Sequence, residues 1–421
     1  MGITFGRYSD AFRSISKKDM WQQCEKLFEE KDYINSYLTF FECLKDDETD
    51  NVLWGEDKGK INFLIKQGSK EVRGFIFENK ISASANIAEY EKLPVSIMRK
   101  LLEMNYTLDY CRFAIDDSKV VIKFDTFTEA CPPERLYYAL RELATRADKQ
   151  DDILINEFSS LKQYDFHKIE IPSEIKEVKY KFMMKWLNEA LAKTESINIE
   201  KYSGGLTYLL LSVNYRIDYL ICPQGTLNNR LEKVNWNYFA NDGKSIYEKI
   251  DRIKEEYIEI LSKSKESIFE ELYDSVSTFG ITRPAAFSVI QDVYKNNISN
   301  VQYYLTNKMD DIALSIFEYI AGNCLFVYGL TESTRSLFHI VYQILYDDYF
   351  KELGLSEFLY DSRDNKFSEE LIKEKIKAIT EKEKNEYPLL QFNTSNLKFD
   401  NLTSFLKSYY NELFNLNYNP E

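Results

Sequence analysis

The chain has 421 residues, 44% of them apolar, which is enough for two hydrophobic cores and excludes an intrinsically disordered protein. Its 68 acidic residues outnumber 54 basic ones, and the net charge of −14 argues against a broad electrostatic grip on nucleic acid or anionic lipid. Glycine (14) and proline (8) are few while tyrosine (31) and phenylalanine (28) are many, a balance that suits long packed helices with few tight turns.

Residues 1–18 read as a loose polar segment: Arg7, Arg13, Lys17 and Lys18 are present, but no apolar run of a secretory signal follows. Myristoylation of Gly2 would want Ser or Thr where Gly6 stands. Asp19 reads as the cap of a helix carrying Trp21, Cys24, Leu27 and Phe28, and Asp32 as the cap of a second with Ile34, Tyr37, Leu38, Phe41 and Leu44. After an acidic break at 45–50, residues 52–54, 61–67, 72–77 and 81–87 read as strands separated by Gly55, Gly59, Gly68-Ser69 and Asn79-Lys80. Leu93-Pro94 opens a helix with Val95, Met98, Leu101 and Leu102 as one apolar stripe and Asn105 as its end. Cys111, Phe113 and Ile115 alternate up to the turn Asp117-Ser118, and Val120, Ile122 and Phe124 alternate after it, which predicts a hairpin. Cys131-Pro132-Pro133 then starts a long helix with Leu136, Leu140, Leu143, Ala147, Leu154, Phe158 and Leu161 on its inner side. The sum is an α+β domain over 19–162, an antiparallel sheet with flanking helices.

The order helix, meander, helix, hairpin, long helix resembles the type III secretion chaperone-like fold, which includes the bacterial YbjN-like proteins. Locally, Leu101-Leu102-Glu103-Met104-Asn105 followed eight residues on by Phe113-Ala114-Ile115-Asp116 and then Val120-Val121-Ile122 looks like that family's helix-to-hairpin passage. The resemblance covers residues 20–161. It implies a small acidic domain that binds other proteins through sheet edges and apolar patches, often pairs as a homodimer, and catalyses nothing. Roughly 250 further residues depart from the family's pattern.

Residues 163–173, with Pro172, read as a linker, and 174–421 as an all-α helical domain. Val178, Phe182, Trp186 and Leu187 begin its helices, Gly204-Gly205 reads as a break, and 206–221 as a buried helix stopped by Pro223. Ile246, Ile250, Ile253, Tyr257 and Leu261 share an amphipathic face; Ser267 and Glu270 have capping-box spacing; Gly280 reads as a stop and Arg283-Pro284 as a start. Residues 312–328 are apolar nearly all round, and Thr331 reads as the cap of a helix with Leu337, Ile340, Val341, Ile344 and Leu345 inside. Helices at 368–384 and 402–416 complete the series. The interior charges Arg216, Asp218 and Glu318 make the two most apolar runs buried helices and not membrane spans. Six scattered cysteines without a Cys-x-x-Cys pair fit a reducing cytoplasm.

Reactive sets are scarce. His167 falls in the linker and His339 off the inner stripe of its helix, giving solvated or contact roles and no zinc site. Gly243-Lys244-Ser245 echoes the end of a phosphate loop, but Tyr238 occupies the first glycine's place and no strand precedes it, so it reads as a helix start. Asp347 and Asp348 diverge by about 100° around a helix and read as surface charges. Arg216 and Asp218 interrupt an apolar helix that also carries Tyr208, Tyr215 and Tyr219; they read either as a narrow polar face, the preferred reading, or as anchors to a neighbouring helix or domain. The expectation is a cytoplasmic, non-enzymatic protein that binds a protein partner, a second copy included, with no nucleic acid, membrane span or cofactor. The alternative is a small-ligand sensor or an enzyme with a site between the C-terminal helices at Tyr208, Tyr215, Arg216 and Asp218.

Overall fold

A computed structural model describes residues 5–8, 15–46, 49–164 and 166–419. It has the α+β architecture with a helical C-terminal region that the sequence predicts. Two compact units emerge: Arg13–Glu170 with Tyr273–Ile281 form one, and the remaining described residues the other.

The first unit follows the alternation of its sequence. Helices α1 (Ile15–Glu29) and α2 (Tyr33–Leu44) precede strands β1 (Val52–Asp57), β2 (Lys60–Gln67), β3 (Lys70–Phe77) and β4 (Lys80–Tyr90). Helix α3 (Val95–Asn105), the hairpin β5 (Arg112–Asp116) and β6 (Lys119–Phe127), helix α4 (Pro133–Glu157) and strand β7 (Leu161–Gln163) complete it. The antiparallel sheet runs β1-β2-β3-β4-β6-β5, with β7 on β4. Period-2 alternation sends one row of each strand inward: Phe63, Ile65, Val72, Ile76, Ile81, Ala83, Ile122 and Phe124 pack with Tyr37, Phe40 and Phe41 of α2 and Leu136, Leu140 and Leu143 of α4. The row Leu53, Leu64, Arg73, Ser84, Lys123 and Arg112 lies on the sheet's other face.

Asp32 caps α2 and Asp117 turns the hairpin at φ +51, as the sequence suggests. Asp19, however, lies inside α1, which begins at Ile15. Leu161 does not continue α4: the Phe158 N–H closes the helix on the Leu154 carbonyl, and Leu161 pairs with Tyr90. Tyr273–Ile281, expected among the helices, belongs to this unit instead. Both Thr278 N–H and Phe279 N–H donate to Gln67 Oε1, and Phe279 is buried in the core.

The second unit comprises α5 (Ser173–Ser196), α6 (Ile199–Arg216), α7 (Gly225–Phe239), α8 (Ile246–Leu261), α9 (Lys265–Glu270) and α10 (Phe287–Thr306). These are followed by α11 (Asp310–Val327), α12 (Glu332–Leu345), α13 (Asp347–Glu352), α14 (Glu369–Lys382) and α15 (Leu402–Leu413). Its centre is α6 against α11, where Leu206, Leu210, Val213, Ile316, Ile320 and Cys324 are buried. Gly204-Gly205 does not break α6, whose irregularity is a kink at Tyr202. After Arg216 the helix widens into one π turn, Ile217–Ile221, ended by Cys222 at φ +52 just before Pro223. The reciprocal capping box sits at Ser245 and Glu248, so Gly243-Lys244-Ser245 is a helix start; Ser264, not Ser267, caps α9. Arg283-Pro284 pairs in parallel with Tyr328-Gly329 instead of opening a helix.

The loose segment expected at 1–18 lies partly outside the described residues, namely 1–4 (with Gly2) and 9–14. Of its remainder, 15–18 start α1, and residues 5–8 pack into the helical unit. Among the described residues no helix is long and apolar enough to cross a membrane.

Candidate functional site

Helix α3 carries apolar residues on two separate faces. Ile97 and Leu101 point into the core. Val95, Met98, Leu102 and Tyr106 recur at three- and four-residue steps and form a separate row in solvent, with Leu102 67% and Tyr106 96% exposed. The single stripe read from the sequence is therefore two, since Leu101 and Leu102 are 100° apart on the helix. The neighbouring strand β5 adds exposed Ile115. The α3 backbone is held down at its end: Asn105 Oδ1 accepts the Phe113 N–H at 2.6 Å and its Nδ2 donates to the Phe113 carbonyl at 3.2 Å. Large side chains held outward on an anchored helix are suited to capture apolar surface.

The four residues singled out in the helical unit are all engaged by protein groups. Tyr208 donates to Asn297 Oδ1 at 2.6 Å and accepts from Asn300 at 2.9 Å. Tyr215 donates to Asn235 Oδ1 at 2.7 Å and accepts from Asn323 at 3.1 Å; both tyrosines pack on Tyr319. Arg216 forms two parallel bonds of 2.7 Å to Glu318 on α11, its guanidinium lying over the rings of Trp186 and Tyr346. Burial, the largest single influence, works against the charge of Arg216, but Glu318 together with Tyr346 and Tyr342 raises its pKa above the ordinary value. Asp218 faces elsewhere, accepting from Arg7 at 2.9 Å. Burial holds its carboxyl above the usual range although Arg7 pulls the other way. Both charges are thus anchors to other elements, and the narrow polar face preferred from the sequence is corrected, because a buried ion needs a partner and each found one across a packing boundary.

Of the roles open to His339 the structure shows the contact: its Nε2 shares a 2.7 Å hydrogen bond with Tyr219, its ring lies 4.5 Å from that of Phe5, and burial, aided by Arg335, lowers its pKa to about 3. One further sequence reading changes. Asp347 is buried, paired with Lys351 at 2.7 Å and accepting the Ser362 N–H, while Asp348 stays half-exposed beside Lys185.

One cluster went unread. In the α+β unit Lys70 is buried against Asp151 at 3.0 Å and donates to the carbonyls of Tyr164 and Ile87. The Ser69 hydroxyl donates at 3.1 Å to Asp151 and lies 3.2 Å from Asp148, which also accepts the Ser69 N–H at 2.7 Å. Gly68, at φ +56, brings the chain so close that any side chain there would meet the Asp148 carboxylate. Burial, and next the neighbouring Asp151, push Asp148 up to about 7. A serine, a lysine and two carboxylates are the parts of an acid–base set, but Ser69 and Lys70 are each 1% exposed, so no substrate reaches them. Asp151 stands on the inner stripe of α4 between Ala147 and Leu154, and a charge at such a position was the available signal.

Among the described residues no three or more His, Cys, Asp or Glu side chains gather in a way that could hold a metal ion. No protein-family model matches the chain, and no curated protein is similar to it.

Proposed function

We propose that this protein acts by binding another protein chain, and not by catalysis, with the exposed face of α3 in the α+β unit as its contact surface. The carrying observation is the outward row Val95, Met98, Leu102 and Tyr106, distinct from Ile97 and Leu101, which serve the core. Fully burying an exposed leucine contributes about 1.5–3 kcal/mol, and Leu102, Val95 and Met98, 67%, 59% and 41% exposed, each add a fraction of that, so the row can offset part of the cost of association. The resemblance to type III secretion chaperone-like and YbjN-like proteins supports the same reading, as does a cytoplasmic setting for six free cysteines. A second copy of the chain is one partner that fits, since an antiparallel pairing of two α3 helices sets the row against itself. The ligand-site alternative at Tyr208, Tyr215, Arg216 and Asp218 has no comparable support, because the polar groups of all four already hold protein partners.

Met98→Glu/Leu102→Glu tests the reading. Wild-type protein and the variant are compared by cross-linked capture from source-cell extract and by light scattering at micromolar concentration. A captured chain, or a dimer, that the variant loses is the expected result. Identical capture profiles and identical masses for the two proteins would sink it.

A further inference from the structure

The segment at residues 5–8 is separated by more than two hundred residues from the groups it touches in the helical unit, and it meets them in three distinct places. The Phe5 ring lies 4.5 Å from His339, 4.9 Å from Phe350 and 6.3 Å from Tyr219. Gly6, at φ +97, passes so close to the Tyr219 ring that a side chain there would collide with it. The Arg7 guanidinium donates to three acceptors from separate parts of the fold: Asp218 Oδ1 at 2.9 and 3.2 Å, the Pro223 carbonyl at 2.8 Å and Asn228 Oδ1 at 2.8 Å. An ammonium lacks the planar fork that serves all three at once. An aliphatic side chain in place of Phe5 would lose the ring contacts.

The receiving surface is itself unusual. Asp218 and Tyr219 lie in the π turn, and Cys222, which closes it, is a non-glycine residue in the left-handed region. π turns and left-handed residues cost stability and recur where a protein holds a ligand. Here they place a buried carboxylate and a tyrosine side by side under the segment.

We propose that the π turn, the start of α7 and the α12–α13 region form a recognition site for an extended aromatic–glycine–arginine segment of a partner protein, and that this chain's own residues 5–7 fill the site in cis as its resident occupant. The partner's chemistry is set by what the site holds now: an aromatic ring, a residue without a side chain and a guanidinium, in that order. A tethered occupant acts at a high effective concentration, so the site of the intact protein presents a weakened apparent affinity until residues 5–7 leave it. The site is built within the helical unit and does not depend on the reading given for α3.

A fluorescent peptide with the sequence of residues 3–10 is the probe, and fluorescence anisotropy on the full-length protein is the readout. Phe5→Ala/Arg7→Ala, which frees the site, is expected to bind the probe at least about tenfold more tightly than wild type. Adding Asp218→Asn to that variant, or replacing the probe's arginine by alanine, should abolish the gain. Circular dichroism establishes that each variant is folded. As a check that needs no variant, hydrogen exchange of the wild type with excess probe should deprotect the amides of residues 5–8 and leave those of α6 protected. No saturable binding by the folded variant up to about 1 mM, or binding indifferent to the probe's arginine, overturns the proposal. So does unchanged exchange at residues 5–8. A mixed dimer formed through exchanged segments, with no binding of the free probe, would also count against a peptide site.

Discussion

In the helical unit two ion pairs set one cation against one carboxylate, Arg216 with Glu318 and Arg7 with Asp218. In the α+β unit a single buried lysine, Lys70, faces two carboxylates, Asp151 and Asp148. Glu318 meets Arg216 through two parallel bonds, so each charge is answered by the other. The unmatched set resolves its surplus by taking up a proton: burial and Asp151 drive Asp148 to about 7, and Ser69 supplies the donors that hold both acids. The helical unit also contains a group that refuses a proton, His339, held at about 3 by burial. His339 and Asp148 therefore respond to acid in opposite senses. His339 binds its proton more readily when unfolded, so its contribution weakens the helical unit as pH falls from about 6.5 to about 3, while protonated Asp148 favours the α+β unit in the same direction.

The largest effect that would break this comparison comes from Glu318→Ala. It strands the Arg216 guanidinium among Trp186, Tyr346 and Glu318's former neighbours, with no acceptor of opposite charge in reach. A loss of about 3–5 kcal/mol is expected in denaturant unfolding, together with faster exchange of α6 and α11 amides. A loss below about 1 kcal/mol would mean that the pair is dispensable and that matching is not what holds this unit.

Asp148→Asn probes the other side, with a smaller effect of opposite sign. With a folded pKa near 7 against about 3.9 unfolded, wild type keeps the Asp148 proton in the folded state while the unfolded chain has lost it. Stability thus falls as pH rises from about 4 to about 7 and is flat beyond. Because the carboxylate is only partly covered, about 2 kcal/mol is a fair size for that loss. An asparagine can still accept the Ser69 N–H, so the variant should gain about that amount at pH 8 and nothing at pH 4. Thermal or urea unfolding at the two pH values decides it: equal or lower stability of the variant at pH 8 would show that the ionised Asp148 carboxylate costs the fold nothing and that its pKa is not raised.

Local patterns were legible and distant ones were not. Alternation around Asp117-Ser118 predicts β5 and β6, and the spacing of Ile250, Ile253 and Tyr257 predicts α8, because each pattern is decided by neighbours within a few residues. The heptad rhythm of α4 ran on into Leu161 because a three-residue strand carries no period of its own; only its pairing with β4 defines it. Arg216 and Asp218 stand out in the sequence as charges in an apolar helix, but the narrow polar face preferred for them is not what forms, because Glu318 and Arg7 stand 102 and 211 residues away and no local rule reaches them. The Tyr273–Ile281 segment was missed for the same reason, since Gln67 and Lys66 are what give Thr278 and Phe279 their place. At α3 the apolar positions were seen and their number hid the geometry: an inward pair and an outward row on one short helix add up to what looks like one broad stripe.

The smallest expected effect on stability concerns that row and carries the most weight for function. Leu102→Glu replaces an exposed leucine on a helix by a residue of similar helix propensity, without touching Ile97, Leu101 or the Asn105 bonds to Phe113. If the outer face of α3 is free in the isolated chain, urea unfolding should shift by no more than about 0.5 kcal/mol. Burying a carboxylate against apolar surface costs several times that, so a loss of about 2 kcal/mol or more would show the row to be already covered, either by a second copy or by other parts of the chain. Protein concentration separates these two outcomes. A loss that grows with concentration belongs to an associated state, because a dimer adds its interface energy to the apparent stability by mass action. A loss independent of concentration would make Leu102 an ordinary core residue and remove α3 as a surface for partners. A near-silent substitution that still abolishes capture would separate the two faces of α3, the inner one holding the fold and the outer one holding something else.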